Sequence, residues 1–245
     1  MYRYTTRQQN RRRPWQGFLL LALAALPCTQ ALGDGAAPAP QGDERIWPGL
    51  VPPAKKHVAS RLPQIDALQK LTGGVLFIGD SITEGAPLFA MFPGVSSANC
   101  GIGWDTSDGL LLRLDQIRRN NPQRAFVLIG TNDLGYGHTP EHIAGNVILA
   151  VDRLSADMPE TEFYVISILP REAQSNAAIL ESNEILASAT GDHGYVYLDL
   201  ASHTMAPDGT LRAELTFDNL HLNVHGYSLW SALMENCVRM GCGEL

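Results

Sequence analysis

Ser81 follows the apolar run Val75-Leu76-Phe77-Ile78, in a turn spelled Gly79-Asp80-Ser81. A hydroxyl there can serve as a nucleophile only if a base takes its proton, and a histidine near its ordinary pKa suits that task. Asp218 and His221 stand three residues apart in Asp218-Asn219-Leu220-His221. One turn of chain therefore brings the carboxylate to its own imidazole, where it would set the tautomer. Attack on a carbonyl creates an oxyanion that needs donors. Asn132, in Gly130-Thr131-Asn132-Asp133, offers a side-chain amide; the Ser81 N–H and an N–H of the Gly103–Trp104 turn offer two more. These residue types at this spacing point to acyl chemistry through a covalent serine intermediate.

Such side chains need a frame that gathers distant loops. Strands are expected over Val75–Ile78, Val95–Asn99, Ala125–Ile129, Glu162–Ile168 and Tyr195–Leu198, and helices over Ser107–Arg119, Pro140–Asp157, Ser175–Ala189 and His225–Met240. Thr139 as N-cap, Pro140 in the first turn and Glu141 after it mark one helix start clearly. Strands alternating with helices predict a parallel sheet covered on both faces. All strand carboxyl ends then share one edge, where ligands bind. Four polar loops fall there: Gly79–Ile82, Asn99–Thr106, Gly130–Asp133 and Asp218–His221.

Each residue also has a plainer reading. Ser81 could be a helix N-cap and Asn132 a turn cap. Asp80 and Asp133 read as structural acceptors for backbone N–H groups, and Asp105 and Thr106 as the start of the following helix. His221 and His225 have an i, i+4 zinc spacing, but Leu222 stands where H-E-x-x-H needs glutamate, and no third ligand is evident. His57, His138, His142, His193 and His203 read as surface or loop residues. His138, in the loop after Asn132, and Arg171, after the fourth strand, are weaker candidates for lining a pocket.

In order along residues 79–227, G-D-S-I, G-T-N-D and D-N-L-H followed by Gly226-Tyr227 resemble the blocks of the SGNH hydrolases, the GDSL-type serine esterases and lipases. The resemblance implies a three-layer α/β/α fold of flavodoxin-like type with a five-stranded parallel sheet. It also implies a nucleophile at Ser81, a base and its orienter at His221 and Asp218, and an oxyanion donor at Asn132. The chain departs from the family once. Where the second block normally carries glycine, in Asn-x-x-x-x-Gly-Asp-Thr, this chain has Trp104, between Gly103 and Asp105. The Trp104 N–H can replace glycine's if its φ is negative; if the turn needs φ > 0, tryptophan is strained there. Its indole is expected to wall the substrate pocket. The short connection from Ser81 to Asn99 and the Phe92-Pro93-Gly94-Val95 run resemble the small acetylhydrolase-like branch. That branch implies short acyl groups, on a carbohydrate or a small alcohol. Longer-chain lysophospholipase or thioesterase action, acyl transfer to a sugar, and non-catalytic binding in polysaccharide modification are the alternatives. No cofactor and no metal are expected.

The 245 residues, 45% of them apolar, suffice for one α/β domain. Residues 1–31 read as a secretory signal peptide: five arginines, an apolar run over Phe18–Leu26, then Pro27 and small residues, with cleavage expected after Ala31. The run is about half of the ~20 residues a membrane span needs. Cys28 offers a lipoprotein alternative, and an uncleaved anchor is another. Residues 32–56 read as a Gly/Ala/Pro-rich linker and 57–245 as the esterase domain. Cleavage removes five arginines and no acid, taking the formal charge from −7 to −12. So acidic a chain argues against nucleic acid or an anionic membrane as partner. A periplasmic or secreted location would permit a bridge between Cys237 and Cys242, which flank Gly241; Cys100 reads as a buried apolar residue.

Overall fold

A computed structural model describes residues 43–68 and 70–242. The predicted signal segment lies outside them. Five strands form one sheet: β1 (Val75–Gly79), β2 (Ser97–Gly101), β3 (Arg124–Leu128), β4 (Glu162–Ile166) and β5 (Tyr195–Leu198). They lie in the order β2-β1-β3-β4-β5, every pair parallel. This is the flavodoxin-like order, in which the chain leaves β1 toward one edge and β3 toward the other. The crevice between the ends of β1 and β3 is therefore where a ligand fits.

Alternation along the strands divides the core in two. Leu76 and Ile78 of β1, with Ala125 and Val127 of β3, face one layer; Val75 and Phe77, with Phe126 and Leu128, face the other. The first layer includes α1 (Pro52–Asp66), α4 (Ser107–Leu112), α5 (Leu114–Ile117), α7 (Pro140–Asp157) and α8 (Ala173–Ser188). The second is built on α10 (Val224–Met240), whose Trp230 is fully buried and whose Met234 joins the same cluster. The short α2 (Ser81–Glu84), α3 (Leu88–Met91), α6 (Thr131–Gly135) and α9 (Ala201–Thr204) sit in the connections. Among the described residues no helix is long and apolar enough to cross a membrane.

Several local expectations change; β4 ends at Ile166, two residues early, and α8 starts two residues early at Ala173. α1 begins at Pro52, inside the stretch read as linker, and Leu50 and Ala54 are core residues. Proline is favoured in a helix's first turn, so Pro52-Pro53 starts a helix instead of preventing one. The helix expected over Ser107–Arg119 breaks at Arg113 into α4 and α5. β2 lies two residues later than expected, because Val95 closes the turn after α3 by donating its N–H to Phe92. Cys237 and Cys242 form a disulfide across the end of α10, with Cα atoms 4.7 Å apart, and Cys100 is a buried free thiol.

Candidate active site

Ser81 is the first residue of α2, immediately after β1. Gly79 makes this turn possible: a Cβ there would lie 2.1 Å from the Leu128 carbonyl oxygen and 2.3 Å from Thr83 Oγ1. Asp80 caps the helix, its Oδ1 accepting the Ile82 N–H at 2.9 Å. From α10, the Tyr227 hydroxyl donates to the Ile82 carbonyl at 2.8 Å and pins the same turn.

Ser81 Oγ lies 2.8 Å from His221 Nε2, across 140 residues of sequence. His221 Nδ1 lies 2.7 Å from Asp218 Oδ2. An ionised carboxylate only accepts, so Nδ1 carries the imidazole proton and Nε2 is left to accept from the serine. A tight turn shapes this pair. Asp218 Oδ1 accepts the N–H groups of Leu220 and His221, and Asn219 between them takes φ +65°, which asparagine tolerates. Thr216 Oγ1 donates to the His221 carbonyl at 2.7 Å. Burial pushes the Asp218 carboxyl up, but hydrogen bonds from the His221 ring and backbone outweigh it and hold the group below its ordinary value. Both His221 ring nitrogens thus have partners; His225 instead lies in the first turn of α10, its N–H donated to Asn223.

The loop after β3 brings Asn132 to the same edge. Gly130 sits at φ +128°, a conformation side-chain-bearing residues rarely adopt, and starts α6. Asn132 Nδ2 donates to the Asp105 carbonyl at 2.8 Å. Asp133, the next residue, is fully buried and accepts from the Ser107 N–H and hydroxyl and from His138 Nδ1. His138 packs behind it, edge-on to Trp47 and near Asp108 and His142. Arg171 reaches the Thr131 carbonyl at 3.1 Å and pairs with Glu172, so it braces the Asn132 loop.

The turn after β2 holds the one departure from the expected pattern. Trp104 has φ +70°, with its side chain partly exposed. The negative φ that would have spared tryptophan is not what the chain adopts. Its N–H has no protein acceptor among the described residues, and neither has that of Ser81. The Gly103 N–H is committed to the Glu84 carboxylate. Of the two candidates for the one backbone donor expected in this turn, the N–H at Trp104 is therefore free and the one at Gly103 is occupied. Beneath the turn, Asp105 and Arg113 form a fully buried ion pair at 2.7 Å. Arg113 also donates to the carbonyls of Cys100 and Gly79, tying the ends of β2 and β1 together.

This edge thus holds a hydroxyl, an oriented imidazole and carboxylate, a side-chain amide and two unpaired N–H groups. The GDSL-like Lipase/Acylhydrolase family model matches residues 77–229. The chain belongs to that family. The alpha1 subunit of platelet-activating factor acetylhydrolase IB from Bos taurus is 29% identical over 164 residues, covering 63% of this chain and 70% of that protein. A GDSL-like lipase from Bacteroides thetaiotaomicron superposes with a TM-score of 0.63 at 18% identity, covering 76% of this chain and 98% of that one. An acetyl-xylooligosaccharide esterase variant from Geobacillus Stearmophilus gives 0.56 at 16% identity, over 72% and 100%. These two share the fold. Family membership makes the protein a hydrolase acting on esters, of the GDSL acylhydrolase type.

Two contributors to the site were not read from sequence. Glu84, last residue of α2, and His57, on α1, meet at 2.9 Å beside Gly103. No local pattern links residues 27 positions apart, and in sequence His57 reads as a surface or loop residue. Its place in the second turn of an amphipathic helix is the one available signal.

Proposed function

We propose that the protein hydrolyses short-chain acyl esters through an acyl-enzyme on Ser81. The observation that carries this reading is the hydrogen-bonded chain from Ser81 Oγ to His221 to Asp218, at 2.8 and 2.7 Å. Ser81 Oγ attacks the ester carbonyl while its proton passes to His221 Nε2. Asp218 stabilises the imidazolium. The oxyanion is held by the N–H groups of Ser81 and Trp104 and by the second amide hydrogen of Asn132. His221 then protonates the departing alcohol, and in the second half it takes a proton from water as that water attacks the acyl-enzyme.

Short acyl groups are favoured because the β1–β2 connection is filled by α2, α3 and core residues such as Phe92, and because the turn that offers the backbone donor carries the bulky, partly exposed side chain of Trp104. An acetyl ester of a carbohydrate or a small alcohol is the substrate class of choice. The Cys237–Cys242 disulfide supports export to an oxidising compartment, periplasmic or extracellular.

Ser81→Ala should abolish hydrolysis of p-nitrophenyl acetate and labelling by a fluorophosphonate. A folded variant that keeps substantial activity refutes the mechanism. Rates on p-nitrophenyl esters from two to sixteen carbons test the acyl preference, and a maximum at twelve or more refutes it.

A further inference from the structure

We propose that Glu84 and His57 are positioning residues, holding the Gly103–Trp104 turn in the conformation that presents the Trp104 N–H. The inference rests on the catalytic reading above and extends it to a residue outside the family match, which starts at residue 77.

A left-handed conformation is unfavourable for an L-residue, whose Cβ crowds the following carbonyl oxygen. Among the described residues only Trp104 and Asn219 bear it without being glycine. Such residues persist where the surroundings over-determine them. Trp104 is held through its neighbours on both sides. On one side the Gly103 N–H is donated to Glu84 Oε2, and the same carboxylate meets His57 Nε2 at 2.9 Å and Arg61 Nε at 3.5 Å. On the other, the Asp105 N–H is donated to the Ile102 carbonyl, and the Asp105 side chain is locked to Arg113. Between these anchors the Trp104 N–H has no protein acceptor.

Glu84 closes the helix that Ser81 opens, so one rigid piece carries the nucleophile and the handle of the turn. Asn99 stitches the same piece to β2, its Nδ2 donating to the Thr83 carbonyl at 2.7 Å. The hydrogen bond between them favours the charged form of each. Glu84 raises the His57 pKa through their hydrogen bond; the carboxyl of Glu84, pushed up by burial, is brought below its ordinary value by His57 and the Gly103 N–H. α1 thereby reaches the oxyanion turn as well as covering the sheet.

The test is a set of kcat and KM values for p-nitrophenyl acetate with Glu84→Ala and Glu84→Gln, each with Trp104 kept and with Trp104→Gly. Glycine takes positive φ without strain, so it should need the anchor less. With Trp104 present, Glu84→Ala should lower kcat roughly tenfold or more and leave KM within about threefold, while in the glycine background the kcat loss should shrink below about threefold. Glu84→Gln, which keeps an oxygen for the Gly103 N–H, should recover most of the rate. Equal losses in both backgrounds, or no loss with Trp104, overturn the inference. Circular dichroism checks each variant, and if Glu84→Ala does not fold, His57→Phe takes its place. Ser81→Ala separates the two readings. If it is inactive while the Glu84 losses are equal, only the positioning role falls; if it is active, the catalytic reading falls first.

Discussion

Asn132 spends one amide hydrogen on the Asp105 carbonyl, 2.8 Å away, and so is fixed to the very turn that carries Trp104. The loops after β2 and β3 are set against each other by that bond, and the second amide hydrogen has no protein acceptor among the described residues. Asn132→Ala should lower kcat by about 10²–10³ with KM changed only a few-fold, because the donor acts on charge that develops in the transition state. Steady-state kinetics on p-nitrophenyl acetate will check it. A large rise in KM at unchanged kcat would instead assign Asn132 to ground-state binding.

Asp218 accepts from both the His221 ring and the His221 backbone. Asp218→Asn can keep the backbone bond, but it loses the charge and allows the amide to donate to Nδ1. The imidazole would then carry its proton on Nε2, where it cannot accept from Ser81. A loss in kcat on the order of 10⁴ is expected, in a protein of nearly unchanged melting temperature. A loss under tenfold would mean that another group orients the histidine.

Asp80 is fully buried; Oδ1 accepts the Ile82 N–H and Oδ2 has no partner. Burial pushes its carboxyl up to about 7, and the nearby Asp105 and Asp133 add to the effect. In the unfolded chain the group titrates near 3.9. Between those values the folded state holds the proton more tightly, so this group favours folding at low pH and its contribution is lost as pH rises toward 7. Asp80→Asn keeps the capping oxygen without the charge. Urea denaturation at pH 4, 6 and 8 should show the variant gaining on the parent as pH rises, by on the order of 3 kcal/mol in total. A pH-independent difference would count against a buried titrating carboxyl.

The Cys237–Cys242 bridge closes a short loop at the end of α10. Chain-entropy reasoning gives such a loop about 2 kcal/mol of stabilisation. Denaturation with and without reductant should differ by about that amount, with activity at low denaturant unchanged. An unchanged midpoint would mean that packing of the buried Cys237 already holds the helix end.

Much of the frame was legible because local signals agreed with the fold. α7 runs from Pro140 to Asp157 as read, since Thr139 and Pro140 mark its start and an apolar stripe carries it. β5 keeps its expected ends for the similar reason that Tyr195–Leu198 is a short β-rich run between polar turns. α1 is harder to read although Ala54, Val58, Leu62 and Ile65 spell one helical face, because its first residues lie inside a Gly/Ala/Pro-rich stretch with the composition of a linker. The break at Arg113 could not be read, since nothing local says that a charged side chain will be buried against Asp105 and two strand ends. At the site, Ser81, Asp218, His221 and Asn132 announced themselves by motif, and the structure brings the first three into one hydrogen-bonded chain. The φ of Trp104 and the hold of Glu84 and His57 on its neighbour depend on tertiary contacts alone.

The span that matches the family, residues 77–229, holds Ser81, Asn132, Asp218 and His221, yet the body that carries them is longer at both ends. It omits α1, with Ala54, Val58, Leu62 and Ile65 on one face of the sheet, and cuts α10 just before Trp230, Met234, Cys237 and Val238, which seal the other. A chain trimmed to the match would keep its full chemical vocabulary while uncovering part of each side of its sheet. Anyone transplanting this chemistry into another scaffold would have to move the two flanking helices with it, because what is inherited as a motif and what folds as a unit have different ends.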